Sequence, residues 1–126
     1  MNLKGGADVT RLSDNNIAVL KNTAGDGYDI KLAKDLNLKD GSTSYTKTVP
    51  GTNTTIPYTV DTKVDGGGVT ITPSINGTPV PGRTVTLTEN GLNNGNNTIT
   101  NVAPGVNGTD AVNVNQLRNA MHSVDG

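Results

Sequence analysis

Cysteine is absent from this 126-residue chain, as are tryptophan and phenylalanine. No disulfide, thiolate nucleophile or Cys-based metal site is available. A single histidine, His122, excludes any two-His metal constellation; beside Met121 and Ser123 it reads as an exposed residue. Aromatic residues make up only 2% of the chain, all of them Tyr, and Leu, Ile, Val and Phe together supply roughly a fifth. Charge of one sign is also missing: the formal net charge is -1 with 17% charged residues, which lacks the self-repulsion of a disordered tail. A lone copy therefore folds around a thin core, and the simplest remedy is to share apolar faces between chains. No apolar run is long enough to span a bilayer, and no signal peptide precedes the body of the sequence. Met1 runs directly into Asn2-Leu3-Lys4-Gly5-Gly6 and reads as a start codon on an excised segment.

These scarcities exclude several functions. Carboxylates are scattered through turns, no serine has a histidine nearby to activate it, and neither a metal-ligand spacing nor a cofactor fingerprint appears, so the chain is expected not to be an enzyme and to need no cofactor. Lys and Arg are balanced by Asp and Glu, and no row of aromatics offers stacking platforms, so no nucleic-acid partner is expected. The carboxylates of Asp35 to Gly41 suggest a calcium loop, but Lys39 falls where the loop needs Asp or Asn and Gly41 comes one place late. Gly66-Gly67-Gly68 has no following Lys-Ser/Thr and no helix, so it reads as a turn or a close backbone approach and not as a phosphate cradle. Four N-x-S/T sequons, at Asn53, Asn76, Asn96 and Asn107, are expected by chance in a chain so rich in Asn and Thr.

What is present reads as short strands. Ile17 to Leu20 and the alternating Tyr28-Asp29-Ile30-Lys31-Leu32 flank Gly25-Asp26-Gly27 and predict a hairpin. Val69 to Thr72 and Thr84 to Thr88 alternate apolar residues with Thr, with Asn76-Gly77 and Pro81-Gly82 supplying turns between them. Ser42 to Thr62 is broken by Pro50-Gly51 and Pro57, although Ile56, Tyr58 and Val60 alternate as a strand. Glu89 to Asn97 is expected to be a tight turn closing the β region.

The chain then changes character. Thr98-Ile99-Thr100-Asn101-Val102 is strand-like and is stopped by Pro104-Gly105. After Val106-Asn107-Gly108, Thr109 or Asp110 offers a side-chain oxygen to the first free amides of a helix, and the Asp charge suits the positive end of its dipole. Within that helix Val114, Leu117, Met121 and Val124 are spaced three, four and three apart, the a/d seam of a coiled coil. Spacing alone leaves open a short amphipathic helix folded back on its own sheet.

The run Thr98-Ile99-Thr100-Asn101-Val102-Ala103-Pro104-Gly105 followed by Asp110-Ala111-Val112-Asn113-Val114-Asn115-Gln116-Leu117 closely resembles the neck of trimeric autotransporter adhesins, which joins a wide β head to a narrow three-stranded stalk. Asn16 to Val19, Ile30 to Leu36, Leu87 to Leu92 and Asn97 to Asn101 are similar in order to head modules of the Trp-ring or GIN type; without a Trp, the namesake ring is excluded here. The resemblance implies a mainly β fold: an interleaved trimeric β-prism head over residues 1–97, a neck over 98–113, and a short C-terminal α-helix over 114–126 entering a parallel trimeric coiled coil.

In that reading the neck residues are Asn101, Val102, Asp110, Ala111, Val112 and Asn113, and the trimer interface is Val114, Leu117, Met121 and Val124. Residues 101–113 form a loop that crosses toward a neighbouring chain, with Ala111 permitting close approach and Asn101 and Asn113 satisfying stranded backbone groups. Val69, Ile71, Val85 and Leu87 face a core to which more than one chain contributes. The implied partners are a homotrimer and a host extracellular-matrix or cell-surface ligand. The implied location is the bacterial cell surface, anchored in the outer membrane through a region outside this segment, which itself makes no membrane contact. A trimeric phage fibre or spike module is the alternative, and a monomeric β-sandwich binding module is a third reading.

Overall fold

The computed structural model describes residues 2–39, 46–48 and 55–125, with the side chains of 46–48, 124 and 125 excepted. The Asp40-Gly41 turn, the Pro50-Gly51 break and the Asn53 sequon lie outside the described residues. The chain divides into two compact units, Met1–Asn96 and Asn97–Gly126. It is mainly β with one C-terminal helix.

In the first unit, β1 (Ile17–Lys21) and β2 (Tyr28–Leu32) form an antiparallel hairpin. Its loop is closed by Asn22 N–H donating to the Gly27 carbonyl at 3.0 Å and by Gly25 at φ 78°. Register places Ile17 opposite Leu32, Val19 opposite Ile30 and Lys21 opposite Tyr28 on one face, and Ala18–Lys31 and Leu20–Asp29 on the other.

The remaining strands make a seven-stranded antiparallel sheet. β3 (Leu36–Lys39) and β4 (Thr46–Thr48) pair with successive parts of the long β5 (Thr55–Asp65). β5 pairs with β6 (Gly68–Ile75), which also takes β7 (Thr78–Pro79) and β8 (Val85–Thr88), and β8 takes β9 (Gly91–Asn93). Gly66-Gly67 is the turn between β5 and β6, with Gly67 N–H held by the Asp65 carboxylate at 2.7 Å. Gly68, at φ 132°, lies so close to the Leu87 carbonyl that no Cβ fits. Asn76 (φ 51°) and Gly77 (φ 81°) form the type I′ turn between β6 and β7.

Register sorts the sheet into two chemically distinct faces. Leu36, Leu38, Val60, Val64, Val69, Ile71, Val85, Leu87 and Leu92 share one, while Asn37, Lys39, Asp61, Lys63, Thr70, Thr72, Thr86 and Asn93 share the other. Yet no hydrophobic side chain among the described residues is buried. On the apolar face Leu36, Val60, Val64, Val69, Ile71 and Val85 are half-buried, while Leu38, Leu87 and Leu92 are exposed.

Two sequence expectations need correction. Glu89 to Asn97 is not simply a turn: Gly91–Asn93 is strand β9, joined to β8 across Glu89-Asn90. Thr98 to Val102 forms no strand. It has no ladder partner among the described residues, and Asn101 stands at φ 60°, which breaks an extended run.

One polar side chain ties hairpin to sheet. Asn16, only 7% exposed, donates through Nδ2 to the Asn37 carbonyl at 2.8 Å and accepts the Asn37 N–H on Oδ1 at 2.9 Å. Its own carbonyl accepts the Ala33 N–H at 2.8 Å. One residue thereby continues the β1–β2 ladder and pairs with β3. At the other end of the unit, Arg83 Nη1 donates to the Asn96 carbonyl and Asn96 Nδ2 to the Gly82 carbonyl, both at 2.8 Å.

Candidate functional site

The second unit begins as irregular chain and ends in α1 (Val114–Asp125). Its organising residue is Gln116. The Gln116 Oε1 accepts the Gly105 N–H at 2.9 Å while Nε2 donates to the Gly105 carbonyl at 2.9 Å, so one primary amide satisfies both backbone groups of a single residue. Gly105 is required at that place: a Cβ would stand 2.5 Å from the Ala111 carbonyl oxygen.

The same Oε1 accepts the Asn113 N–H at 3.2 Å, and Asn113 Oδ1 accepts the Gln116 N–H at 3.0 Å. This is a reciprocal capping box, with Asn113 as the N-cap and Gln116 three residues into the helix. Asn113 also donates through Nδ2 to the Val102 carbonyl at 3.0 Å. Two amide side chains therefore staple Val102 and Gly105 to the first turn of α1.

The expected cap at Thr109 or Asp110 is overturned, because the Asp110 oxygen is already engaged. Its Oδ2 accepts the N–H groups of Val106 at 3.0 Å and Asn107 at 2.9 Å, and its own N–H closes the turn onto the Asn107 carbonyl. These bonds, Asn107 first and Val106 second, hold the exposed Asp110 carboxyl below its ordinary value. The cap is therefore Asn113, three residues beyond Asp110, and α1 starts at Val114. Sequence reasoning quoted Gln116 without giving it a role, although the Asn113-x-x-Gln116 spacing carries the capping-box signal.

The other residues assigned from sequence are placed as follows. Asn101 and Ala111 are exposed and Val102 is half-buried. Val112 is exposed and, with Ile99, Val102 and Val114, borders an open groove of about 410 Å³. Val114, Leu117 and Met121 are all more than half exposed on α1. Val124 belongs to α1, but its side chain lies outside the described ones. Among the described residues no three His, Cys, Asp or Glu groups converge as metal ligands, and no helix is long and apolar enough to cross a membrane.

No curated protein matches this chain. Residues 98–126 match the family described as the coiled stalk of trimeric autotransporter adhesin. Such adhesins are surface-exposed outer-membrane proteins, and their family implies a homotrimer. Residues 98–126, which hold the Gly105–Gln116 clamp and α1, are thus similar to the coiled stalk of trimeric autotransporter adhesins, and this match supports an adhesin of that kind.

Proposed function

We propose that this chain is a structural and adhesive segment of such an adhesin, a trimeric β head that passes through a stapled loop into a parallel coiled-coil stalk and presents exposed loops to host cells, matrix or other surfaces. Its work is mechanical and not enzymatic. It lies on the bacterial cell surface, with the anchoring region elsewhere in the parent protein.

One observation carries the reading: the chain sorts its apolar side chains onto defined strand faces and along α1, yet among the described residues no hydrophobic side chain is fully buried. Removing such surface from water is worth about 25 cal/mol per Å². A chain that orders these faces and leaves them half-buried or exposed gains only part of that. Supplying the missing cover with identical copies fits the seam of Val114, Leu117 and Met121, whose spacing suits a shared axis and whose side chains are all more than half exposed in the single chain.

The test is light scattering after size exclusion, on the chain alone and with a trimeric coiled coil fused after Gly126. The expected mass is three chains in both cases. A well-folded monomer at micromolar concentration would overturn the proposal.

A further inference from the structure

The first unit carries two apolar surfaces of different shape, and neither covers the other. One is the hairpin face of Ile17, Val19, Ile30 and Leu32 with Tyr28 at its tip, each 61–70% exposed. The other is the sheet face centred on Val69, Ile71, Val85 and Leu87, of which Leu87 is 55% exposed and the other three are half-buried. The hairpin lies beside the β3 edge, where Ile17 and Leu32 share a groove of about 410 Å³ with Leu36 and Leu38. The Asn16–Asn37 amide pair fixes it there. With the hairpin pinned at its base, Leu87 and Leu92 are each 55% exposed.

A ring of three identical chains cannot be closed by a patch that meets only itself. Each chain must offer one surface to the next and a different, complementary one to the previous. This chain has two such apolar surfaces in its first unit, one narrow and projecting, the other broad.

We propose that the β1–β2 hairpin of each chain packs its Ile17, Val19, Ile30 and Leu32 face over the Val69, Ile71, Val85 and Leu87 face of the neighbouring copy, with Asn16 as the residue that positions it to reach across. This pairing rests on the trimeric reading above and specifies which surfaces meet. The hairpin face offers about 500 Å², from four to five side chains at about 100 Å² each. The half-buried sheet face offers less, and the contact reaches the lower bound of specific interfaces together with the stalk helices. Fixing the hairpin by Asn16 removes the cost of ordering it at assembly.

The absence of cysteine makes the test direct, because in single-Cys chains every thiol–thiol link is between chains. Val19→Cys and Leu87→Cys chains, one of them carrying a mass tag, are refolded together and treated with a short bismaleimide, whose span tolerates a register one residue off. Light scattering is run on the same sample. The expected result is a linked Val19→Cys/Leu87→Cys pair within a trimer, several-fold more abundant than the link from Lys31→Cys on the opposite hairpin face to Leu87→Cys. A trimer with no link, with equal linking from Lys31→Cys, or with Val19→Cys joined only to itself overturns the pairing and leaves the trimer standing. A monomer overturns both.

Discussion

Single side-chain amides hold the irregular parts of this molecule. Gln116 acts as donor and acceptor at once, so its replacements separate the two roles. Gln116→Ala removes three part-buried hydrogen bonds and is expected to destabilise the loop–helix unit by about 2 kcal/mol per chain. Gln116→Glu keeps the acceptor and turns a carboxylate toward the Gly105 carbonyl. The variant loses only the bond to the Gly105 carbonyl and is expected to melt between wild type and Gln116→Ala. Thermal melts of the three proteins at pH 7 check this; a Gln116→Glu midpoint equal to that of wild type would show that the donor role is idle.

Asp110 makes the stability of its loop depend on pH. Its folded pKa lies below the unfolded value, so its contribution is present above the unfolded pKa and fades as pH falls through the folded one. Asp110→Asn keeps an acceptor for Val106 and Asn107 and should flatten that acid dependence, measurable as a weaker low-pH shift in α1 amide exchange.

At the scale of elements, the seam on α1 offers the sharpest contrast. Leu117 and Arg118 are both exposed in the single chain, so a monomer tolerates Asp at either place. In the proposed trimer Leu117→Asp sets three carboxylates in one apolar layer, a cost of several kcal/mol, roughly, per trimer, while Arg118→Asp on the outer face does little. Thermal melts of the two variants decide it, and identical midpoints would refute the seam. At the hairpin base, Asn16→Ala leaves the Asn37 N–H and carbonyl without their partner, at about 2 kcal/mol, and should raise hydrogen exchange across β1 and β2.

The elements that sequence revealed were those whose signal is local. The β1–β2 hairpin and the β6 and β8 strands show alternation bounded by Gly and Asn turns, and both turn chemistry and period are written in neighbouring residues. The full length of β5 was hidden because Asp61-Thr62-Lys63-Val64-Asp65 looks polar, and only pairing with β3 and β6 on either side makes it strand. β9 is too short to show a period. The helix start was misread because a carboxylate able to cap a helix equally satisfies loop amides, and which it does depends on where Val106 and Asn107 lie.

For the whole molecule, stability and assembly are one equilibrium. With no buried hydrophobic side chain among its described residues, the chain in the proposed trimer draws much of its apolar burial from the other copies, so its melting temperature should rise with protein concentration. Melts across a wide dilution series measure this, and a concentration-independent midpoint would mean that each chain is stable alone. The Arg83–Asn96 pair has a further consequence for a fibre under tension. A pull on the chain beyond Asn96 would, without it, peel the three residues of β9 from β8 one ladder bond at a time. Because the Asn96 carbonyl is gripped by Arg83 and its side-chain amide holds Gly82, the load passes from residue 96 directly into the segment ahead of β8, and the short terminal strand is bypassed. The unit is then loaded with its short terminal strand β9 out of the line of pull.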